Sequence, residues 1–535
     1  MSLRHRFTAA ALAALLTITA APVSRAAHYT DSQNHWAASV IEKAGEYGLM
    51  EGYPDGRFGV GENMTRAQFI TVLCRLFGWE ADPEAAATLS DVGNHWARGY
   101  IGAAAKHGAI DAAGAVCPDD YISRLDMARM LVRALDYGRL AQSLSEAELP
   151  FDDVTEDRGV VAIVYHLGIL TGVDQKGQMK FLPTFSAPRE QAAAMLVRCY
   201  ERYFSKTDWF HGFYAVNSYS QINLLGALDA LSLGWAQLMY MDDALTVNQT
   251  SAGGNHWVKP SGSELVTDRA SERSLPCNLT VFGTASTLAR LAEEGRTDEA
   301  VTLLVQAAQG YAGLTMDVEG LRESHRESYT ALMTALRAAL PAEQTLYVCV
   351  QPDTWYGGFD YRALGEVCDK VILMAHDYQW VSIPDSYLGT GNTYSPVTPF
   401  QQVYTALVHI TDPDTGVQDR SKLALQISFG TAGLHVDENG ALVDTTLYHP
   451  LPDTIAKRLG QADTVYTYDE ASRNPCIQYT TEDGEHYKLW YEDAHSVRDK
   501  LELARMFGIT GVSIWRLGII PAYPDYDVWT VLSER

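Results

Sequence analysis

Three polar side chains alternate along the apolar stretch from Tyr311 to Gly320. Thr315, Asp317 and Glu319 lie two residues apart, and a strand here would present all three on one face. Two carboxylates at this spacing repel each other, which raises the pKa of one and keeps it protonated as a general acid. The alternative is an ordinary acidic strand end facing solvent, because Asp-x-Glu pairs are frequent in a chain with 66 acidic residues.

The elements that would position these side chains follow a regular alternation. Between residues 207 and 535, short β-rich apolar runs alternate with helical stretches, which is the pattern of a parallel α/β sheet or barrel. The candidate strands are residues 212–217, 236–241, 278–282, 311–317, 345–350, 370–375, 423–428 and 511–515. The helical stretches include residues 287–309, 322–339 and 493–507. Eight strands over roughly 330 residues predict a (β/α)8 barrel.

The largest insertion lies between the seventh and eighth candidate strands. Its stretch from Thr464 to Trp490 alternates like a series of hairpins, with turn candidates at residues 472–475 and 482–484. We therefore expect an α/β fold, a (β/α)8 TIM barrel with an α+β insertion between strands 7 and 8. The insertion would form a wall beside the barrel mouth.

Four stretches of this region resemble motifs of one enzyme family. Residues 311–320 resemble the D-G-x-D-x-D-x-E active-site strand of the family 18 glycoside hydrolases, which are chitinase-like TIM barrels. Residues 374–378, Met-Ala-His-Asp-Tyr, resemble the M-x-Y-D motif on strand six, and residues 511–518 resemble the end of strand eight. The run from Trp490 to Ser496, followed by Lys500, is especially similar to the branch that includes spore-germination and cortex-lytic hydrolases.

This resemblance implies a substrate-assisted, retaining mechanism on β-1,4-linked glycans that contain N-acetylglucosamine, such as peptidoglycan or chitin. Glu319 would protonate the leaving glycosidic oxygen and then activate water, while the acetamido oxygen of the substrate attacks the anomeric carbon. Asp317 would hold the acetamido N–H, and Asp377 would help to position that group. The implied substrate-binding residues are Trp515, as the floor beneath the sugar, with His376, Tyr378, Thr315 and Met374.

Three positions depart from the family motifs. Ala312 and Thr315 stand where the strand-four motif has its first two Asp residues, and His376 stands where the strand-six motif has Tyr. The loss of one such hydrogen-bonding group reduces an enzymatic rate by about a hundredfold. Two alternatives therefore stay open, namely a glycan-binding surface protein with weak or no activity and an envelope protein in which the barrel is a spacer.

The first 200 or so residues contain an internal repeat of about 60 residues. Asp31, Asp91 and Asp153 recur at intervals of 60 and 62 residues, and Arg66 and Arg124 are 58 residues apart. Each repeat has the pattern of a helix, a Gly-rich turn and a second helix. The aspartates precede the first helix of each repeat, where they are expected as N-caps, and Thr65 and Ser123 precede the second helix in the same way. The three repeats should pack around one axis.

The repeats resemble the S-layer homology (SLH) module, which occurs in threes. The resemblance rests on His35-Trp36-Ala37, His95-Trp96-Ala97 and Thr65-Arg66-Ala67. It implies an all-α three-repeat SLH domain that binds the anionic secondary polysaccharide of a Gram-positive-type cell wall. The residues expected to contact this polymer are Arg66, Arg124, Trp36 and Trp96, since Arg pairs with carboxylate-bearing sugars and Trp stacks on them. The alternative is that the arginines are structural and bond neighbouring helix ends.

The charge of the chain excludes several classes of partner. Lys and Arg number 41 against 66 Asp and Glu, for a net charge of −25, and an acidic surface repels nucleic acid and anionic lipid. No zinc-type Cys/His spacing or Gly-rich phosphate loop occurs in the sequence, so neither a metal nor a cofactor is expected.

The N-terminus has the pattern of a secretory signal. A basic start is followed by an apolar stretch from Ala9 to Pro22 and by Ser24-Arg25-Ala26, a cleavage pattern. After cleavage no membrane insertion is expected, and the repeats would hold the secreted protein at the cell surface. The expected segments are a signal peptide at 1–26, SLH repeats at 27–84, 85–145 and 146–204, and the barrel at 205–535.

Overall fold

The computed structural model describes residues 29–215, 218–523 and 527–535. The expected signal peptide lies outside these residues. The chain divides into two compact units, with the boundary between Glu201 and Arg202. Within the described ranges, no helix combines the length and the apolar character that crossing a membrane requires.

The first unit consists of three helix pairs and one short additional helix, α5 (Gly138–Ser143), between the second and third pairs. Its helices are α1 (Ala38–Glu46), α2 (Arg66–Phe77), α3 (Arg98–Lys106), α4 (Arg124–Ala134), α5 (Gly138–Ser143), α6 (Arg158–His166) and α7 (Arg189–Tyr203). A short hairpin, β1 (Val173–Gln175) and β2 (Gln178–Lys180), lies between the helices of the third pair. Thr65 caps α2 and Ser123 caps α4 through their side chains, which confirms both expected caps.

The three recurring aspartates do not cap the first helices, so that prediction was wrong. Helices α1 and α3 begin after Ala37 and Ala97, which make no side-chain cap. Asp31 instead accepts hydrogen bonds from the backbone N–H groups of residues 58, 59 and 60 at 2.8–2.9 Å. Asp91 and Asp153 accept equivalent bonds from residues 116–117 and 181–182. Each carboxylate thus fixes the loop between the two helices of its own repeat.

Three arginines at the start of the second helices connect the repeats in a closed cycle. Arg66 Nε donates to the carbonyl of Val116 in the second repeat at 2.7 Å. Arg124 Nε donates to a carbonyl of the third repeat, that of residue 181, also at 2.7 Å. Arg189 Nε completes the cycle by donating to the carbonyl of residue 58 in the first repeat at 2.9 Å. The third repeat therefore closes on the first.

The second unit is a closed barrel of eight parallel strands, which confirms the predicted fold. The strands are β3 (Trp209–Tyr214), β4 (Ala230–Met241), β6 (Cys277–Thr284), β7 (Gly313–Glu319), β8 (Thr345–Val350), β9 (Lys370–Leu373), β10 (Leu423–Ser428) and β16 (Gly511–Trp515). They are hydrogen-bonded in this order, and β16 pairs with β3 to close the sheet. The additional strand β5 (Ala244–Asn248) pairs antiparallel with the extended end of β4.

Helices surround the barrel between these strands. They are α8 (Glu264–Ser271), α9 (Ala285–Glu293), α10 (Thr297–Ala307), α11 (Arg326–Ala339), α12 (Asp353–Tyr356), α13 (Tyr361–Val367), α14 (Phe400–Ile410), α16 (Ala494–Met506) and α17 (Val528–Leu532). The stretch 287–309, predicted as one helix, is divided into α9 and α10. Gly295 adopts a φ of 64° between them, which an α-helix cannot accommodate.

The insertion between β10 and β16 contains a second sheet, as predicted. Its elements are β11 (Ala432–Val436), β12 (Leu442–Tyr448), α15 (Pro452–Leu459), β13 (Val465–Asp469), β14 (Asn474–Thr480) and β15 (His486–Trp490). The five strands are antiparallel in the order β12-β11-β15-β14-β13. The turn between β14 and β15 contains the candidate at residues 482–484, whereas the turn between β13 and β14 is residues 470–473, so the candidate at 472–475 was placed two residues too late.

The interior of the barrel is polar across its middle layer. Alternate residues of each strand point inward, and here they include His211, Ser232, Thr280, Thr315, Gln426 and Ser513, all of which are buried. Buried polar groups need hydrogen-bond partners. This layer lies beneath the carboxyl ends of the strands, where TIM barrels carry their active sites.

Candidate active site

The two predicted acidic residues lie at the carboxyl end of β7. Glu319 is the last residue of the strand and is exposed at the barrel mouth, whereas Asp317 is only 4 % exposed beneath it. The chain turns immediately afterwards, because Gly320 has a φ of 73° and its N–H donates to Gln351 Oε1 at 2.8 Å. This turn ends the strand where Glu319 can meet a ligand.

Both carboxyl groups have a raised pKa. Burial raises the pKa of Asp317 well above its usual value, and the charge of Glu319 adds to this effect. Burial likewise raises the pKa of Glu319, with a smaller contribution from the charge of Asp377. His376 opposes the rise for both groups. The site therefore favours protonated carboxyls, which general acid catalysis needs.

Asp317 has an open hydrogen-bonding position. Its Oδ1 atom is buried and has no hydrogen-bond partner among the residues that the structure describes. A buried polar atom without a partner is costly for a folded protein. A ligand N–H at this position would satisfy it.

Asp377 and His376 form a tightly bonded pair after β9. His376 Nδ1 lies 2.9 Å from Asp377 Oδ2, and His376 Nε2 lies 2.7 Å from Gln426 Oε1. Ser428 Oγ donates to Asp377 Oδ1 at 3.2 Å. Burial raises the pKa of Asp377, but the charge and hydrogen bond of His376 outweigh it and hold this pKa below its usual value. Asp377 is thus kept ionised at the barrel mouth.

Three residues in β10 or just after it contact the His376–Asp377 pair and were not predicted. They are Gln426, Ser428 and Gly430. A Cβ atom at Gly430 would lie 2.5 Å from Asp377 Oδ1, so only glycine leaves room for this carboxylate. The sequence could have indicated Gln426 and Ser428, since these two polar residues lie two positions apart in an otherwise apolar strand and therefore share one face.

Aromatic side chains form a wall at the mouth beside Trp515. Its ring lies 5.3 Å from that of Phe213 and 5.7 Å from that of Trp257. Trp257 stacks on Phe282 at 4.8 Å, and it comes from the loop after β5. Tyr378 contacts Trp355 edge to face at 5.1 Å, and its buried hydroxyl has no partner among the described residues.

The other predicted substrate-binding residues lie deeper in the barrel. Thr315 is fully buried, and its hydroxyl lies 2.6 Å from that of Ser232. Met374 is buried in the apolar cluster that includes Phe213. Among the residues that the structure describes, no group of three or more His, Cys, Asp or Glu side chains has the arrangement of a metal site.

The residues expected to contact the cell-wall polymer differ in accessibility. Trp36 and Trp96 are largely exposed. Arg124 is 5 % exposed, and its guanidinium donates to the carbonyls of Phe181 and Thr171.

Arg66 is more accessible than Arg124. Its side chain is 22 % exposed, and its Nη1 atom pairs with Asp126 at 2.7 Å. It lines a cleft of about 330 Å³ together with Arg129 and Arg133.

Comparison with known proteins identifies two domain types in this chain. The family model "S-layer homology domain" matches residues 28–70, and the family model "Glycosyl hydrolases family 18" matches residues 296–519. The first match lies within the first unit, and the second lies within the barrel unit. The second match includes β7, the His376–Asp377 pair and Trp515, whereas Phe213, Trp257 and Phe282 of the aromatic wall precede it.

Individual relatives agree with these two matches. The cortical fragment-lytic enzyme of Bacillus anthracis is 24 % identical over 248 residues, which are 44 % of this chain and 52 % of the relative. The S-layer protein EA1 of Bacillus anthracis is 28 % identical over 178 residues, covering 32 % of this chain and 20 % of that protein. The chain thus spans about half the length of the cortical fragment-lytic relative.

The solved structures that match this chain include the spore cortex-lytic enzyme SleL of Bacillus cereus. It is 16 % identical, with a TM-score of 0.47, and the match covers 70 % of this chain and 83 % of that one.

Proposed function

We propose that residues 205–535, which contain the barrel of the second unit, form a glycoside hydrolase that cleaves β-1,4 bonds beside N-acetylglucosamine in peptidoglycan or chitin-like glycans. The observation that carries this proposal is the Asp317–Glu319 pair at the end of β7. One carboxyl is exposed with a raised pKa, and the other is buried with an open acceptor oxygen. The family 18 match over residues 296–519 supports the same assignment.

The reaction follows from the positions of these two groups. The Glu319 carboxyl gives its proton to the glycosidic oxygen as the bond to the anomeric carbon breaks. The acetamido oxygen of the same sugar attacks that carbon from the opposite face and forms an oxazolinium ion, while Asp317 holds the acetamido N–H. Glu319 then takes a proton from water while the water oxygen attacks the anomeric carbon. The bond from that carbon to the acetamido oxygen breaks, which opens the oxazolinium ring and gives net retention.

Asp377 and Trp515 complete the substrate site in this proposal. Asp377 is ionised and exposed at the mouth, so its negative charge can stabilise the oxazolinium ion and help to position the acetamido group. Trp515 offers a half-buried ring beneath the sugar. His376 has both ring nitrogens within hydrogen-bond distance of protein oxygens, so we assign it to holding Asp377 rather than to contacting the sugar.

The substrate-assisted mechanism predicts that the acetyl group of the substrate is indispensable. We expect the full chain to release reducing ends from chitooligosaccharides or peptidoglycan, and to release at least about a hundredfold fewer from the same glycans after chemical de-N-acetylation. Reducing-end assays on each glycan and its de-N-acetylated counterpart measure this ratio. Equal cleavage of both forms would contradict the mechanism.

A glycan-binding protein without hydrolysis is the second candidate. Thr315 favours it, because this residue bonds to Ser232 and supplies no carboxyl to Asp317. In that case the N-acetylated glycans would bind, as measured by calorimetry, and no reducing ends would appear.

We propose further that residues 27–84, 85–145 and 146–204 are three SLH modules that hold a secreted protein on the cell-wall polysaccharide. The family model covers the first module. The second and third share its helix pair, its loop-fixing aspartate and its connecting arginine. The cleft beside Arg66 is the proposed polymer site, because Arg66, Arg129 and Arg133 line it and can pair with carboxylate-bearing sugars. Asp111 and Asp126, which also line the cleft, hold these arginines in the free protein and would exchange them for the sugar carboxylates.

Replacing Arg66 with Gln is therefore expected to weaken binding to purified cell walls by about tenfold, since one charge-assisted hydrogen bond is lost. Cosedimentation of the full chain with walls, at low and high salt, measures the change.

Arg57→Gln is the matched control. It removes the same charge from an exposed arginine that pairs with Asp55 and Glu62 outside the cleft. Equal weakening by both substitutions would mean that net charge, rather than the cleft, governs binding.

A further inference from the structure

A chain of hydrogen bonds crosses the interior of the barrel beneath the candidate site. The Ser232 hydroxyl links Thr315 to His211 Nε2, at 2.6 Å and 2.8 Å. His211 Nδ1 lies 2.9 Å from Ser513 Oγ, to which Gln426 Nε2 donates at 3.4 Å.

Gln426 carries this chain to the site itself. Its Oε1 faces His376 Nε2, and His376 Nδ1 faces Asp377. Seven side chains from β3, β4, β7, β10, β16 and the segment after β9 are thus joined in one line.

The two histidines of this line have opposite surroundings. His211 lies between two hydroxyl groups, which can each donate or accept, so a neutral ring satisfies both contacts. Burial lowers the pKa of His211 to about 3. His376 lies between a carboxylate oxygen and the amide oxygen of Gln426, and both atoms only accept hydrogen bonds. Only a ring with N–H on both nitrogens satisfies the two contacts.

We propose that His376 is a resident imidazolium of the active site and that Gln426 is the positioning residue that keeps it protonated. In the structure Gln426 directs its oxygen to His376 and its Nε2 to Ser513. The bond to Ser513 in the middle layer therefore holds the Gln426 amide in the orientation that His376 needs. This role rests on the proposed glycosidase function, since Asp377 is the group that the imidazolium holds.

The charges around His376 support a cationic ring. The groups that face it are Asp377 on its own segment, and Asp317 and Glu319 on β7. Gln426 and Ser428 on β10 are neutral, and burial keeps the Cys349 thiol on β8 protonated by raising its pKa well above the usual value. Burial opposes a charge on His376, but the charge of Asp377 and two hydrogen bonds outweigh it and raise its pKa.

A fixed cation at this position explains how three carboxyls share one small site. The imidazolium and the Asp377 carboxylate form a pair without net charge, so Asp377 remains an ionised acceptor and adds little repulsion to Asp317 and Glu319. Deprotonation of His376 would leave Asp377 unpaired and would remove one of its hydrogen bonds. Activity should therefore fall as the pH rises through the pKa of His376.

The experiment is a titration of the histidine rings in the full chain by NMR, with ring-labelled histidine and His376→Gln to assign the resonance. In the wild type we expect His376 to titrate above the usual range of histidine, and His211 to remain neutral at neutral pH. Gln426→Met, which removes the acceptor at similar size, should lower the pKa of His376 by about one pH unit, the equivalent of one charged hydrogen bond. The pH at which kcat/KM declines on the alkaline side should fall by the same amount.

Gln426→Glu is the matched control, because it retains an acceptor oxygen and should leave the His376 ring protonated. A neutral His376 at pH 7 in the wild type, or an unchanged pKa in Gln426→Met, would overturn the inference. A purely structural role for Gln426 would reduce activity without moving the pH of this alkaline decline, which would also overturn it. If the wild type cleaves no N-acetylated glycan, the proposed function fails, and the NMR titration alone decides the protonation of His376.

Discussion

Replacing Glu319 with Gln is expected to reduce kcat for glycan cleavage by about a thousandfold, because general acid–base catalysis contributes 10²- to 10⁴-fold and this residue serves both steps. Glutamine has nearly the same size but cannot give a proton to the leaving oxygen. Glu319 is at the exposed end of β7, so the substitution leaves the buried core unchanged. Reducing-end assays on a chitooligosaccharide, with calorimetry of the same ligand, separate kcat from binding.

The control for this prediction is Glu323→Gln, the same chemical change in an exposed glutamate that follows the strand. We expect it to retain wild-type activity. Retained activity in Glu319→Gln would mean that another group supplies the proton. Unchanged glycan binding together with lost cleavage would establish that Glu319 acts in the reaction rather than in recognition.

Replacing Lys500 with Met is expected to destabilise the second unit by about 3–5 kcal/mol. Lys500 Nζ contacts both oxygens of Glu492, at 2.8 Å and 2.9 Å, and both side chains are 1 % exposed. Asn474 and Ser496 also donate hydrogen bonds to the Glu492 carboxylate. Methionine would leave a buried carboxylate without its counter-charge. Urea denaturation of the full chain measures the loss, and the first unit serves as an internal reference.

Two control variants distinguish the buried pair from a general effect of charge. The double variant Lys500→Met with Glu492→Gln removes both charges, and it should recover most of the lost stability because no unpaired charge remains. Arg269→Met breaks an exposed pair with Glu272 and should have little effect. A double variant as unstable as the single one would show that packing of the lysine stem, rather than charge, is responsible.

Much of the barrel could be predicted because parallel strands that are buried on both faces form short apolar runs. The strands at 345–350, 423–428 and 511–515 were predicted at their observed bounds. The break in the helix at Gly295 was missed, since a single glycine in a helical pattern is often tolerated. The aspartate caps were wrong for a different reason. The partners of Asp31 lie 27–29 residues away, and local patterns carry no information on such contacts.

In the candidate site, too, the features set by local sequence could be predicted, and the contacts between distant residues could not. Asp317 and Glu319 share one strand, so their common face follows from the spacing of side chains. Gln426 reaches His376 and Ser428 reaches Asp377 from another strand, and this neighbourhood exists only once the barrel is closed. The role of His376 changed for the same reason, because its two acceptors come from different elements.

The closed cycle of arginines in the first unit has a consequence for how this unit is made. The loop at residue 58 receives its last hydrogen bond from Arg189, 131 residues later in the chain. A nascent chain that ends before Arg189 lacks the contact that joins the third repeat to the first, so no repeat can reach its final form early in synthesis. Contacts at such long sequence separation form slowly, and an incomplete chain should remain open until the last helix has been added. Shortened versions with one or two repeats should therefore be sensitive to proteases, and the three repeats should gain protection together.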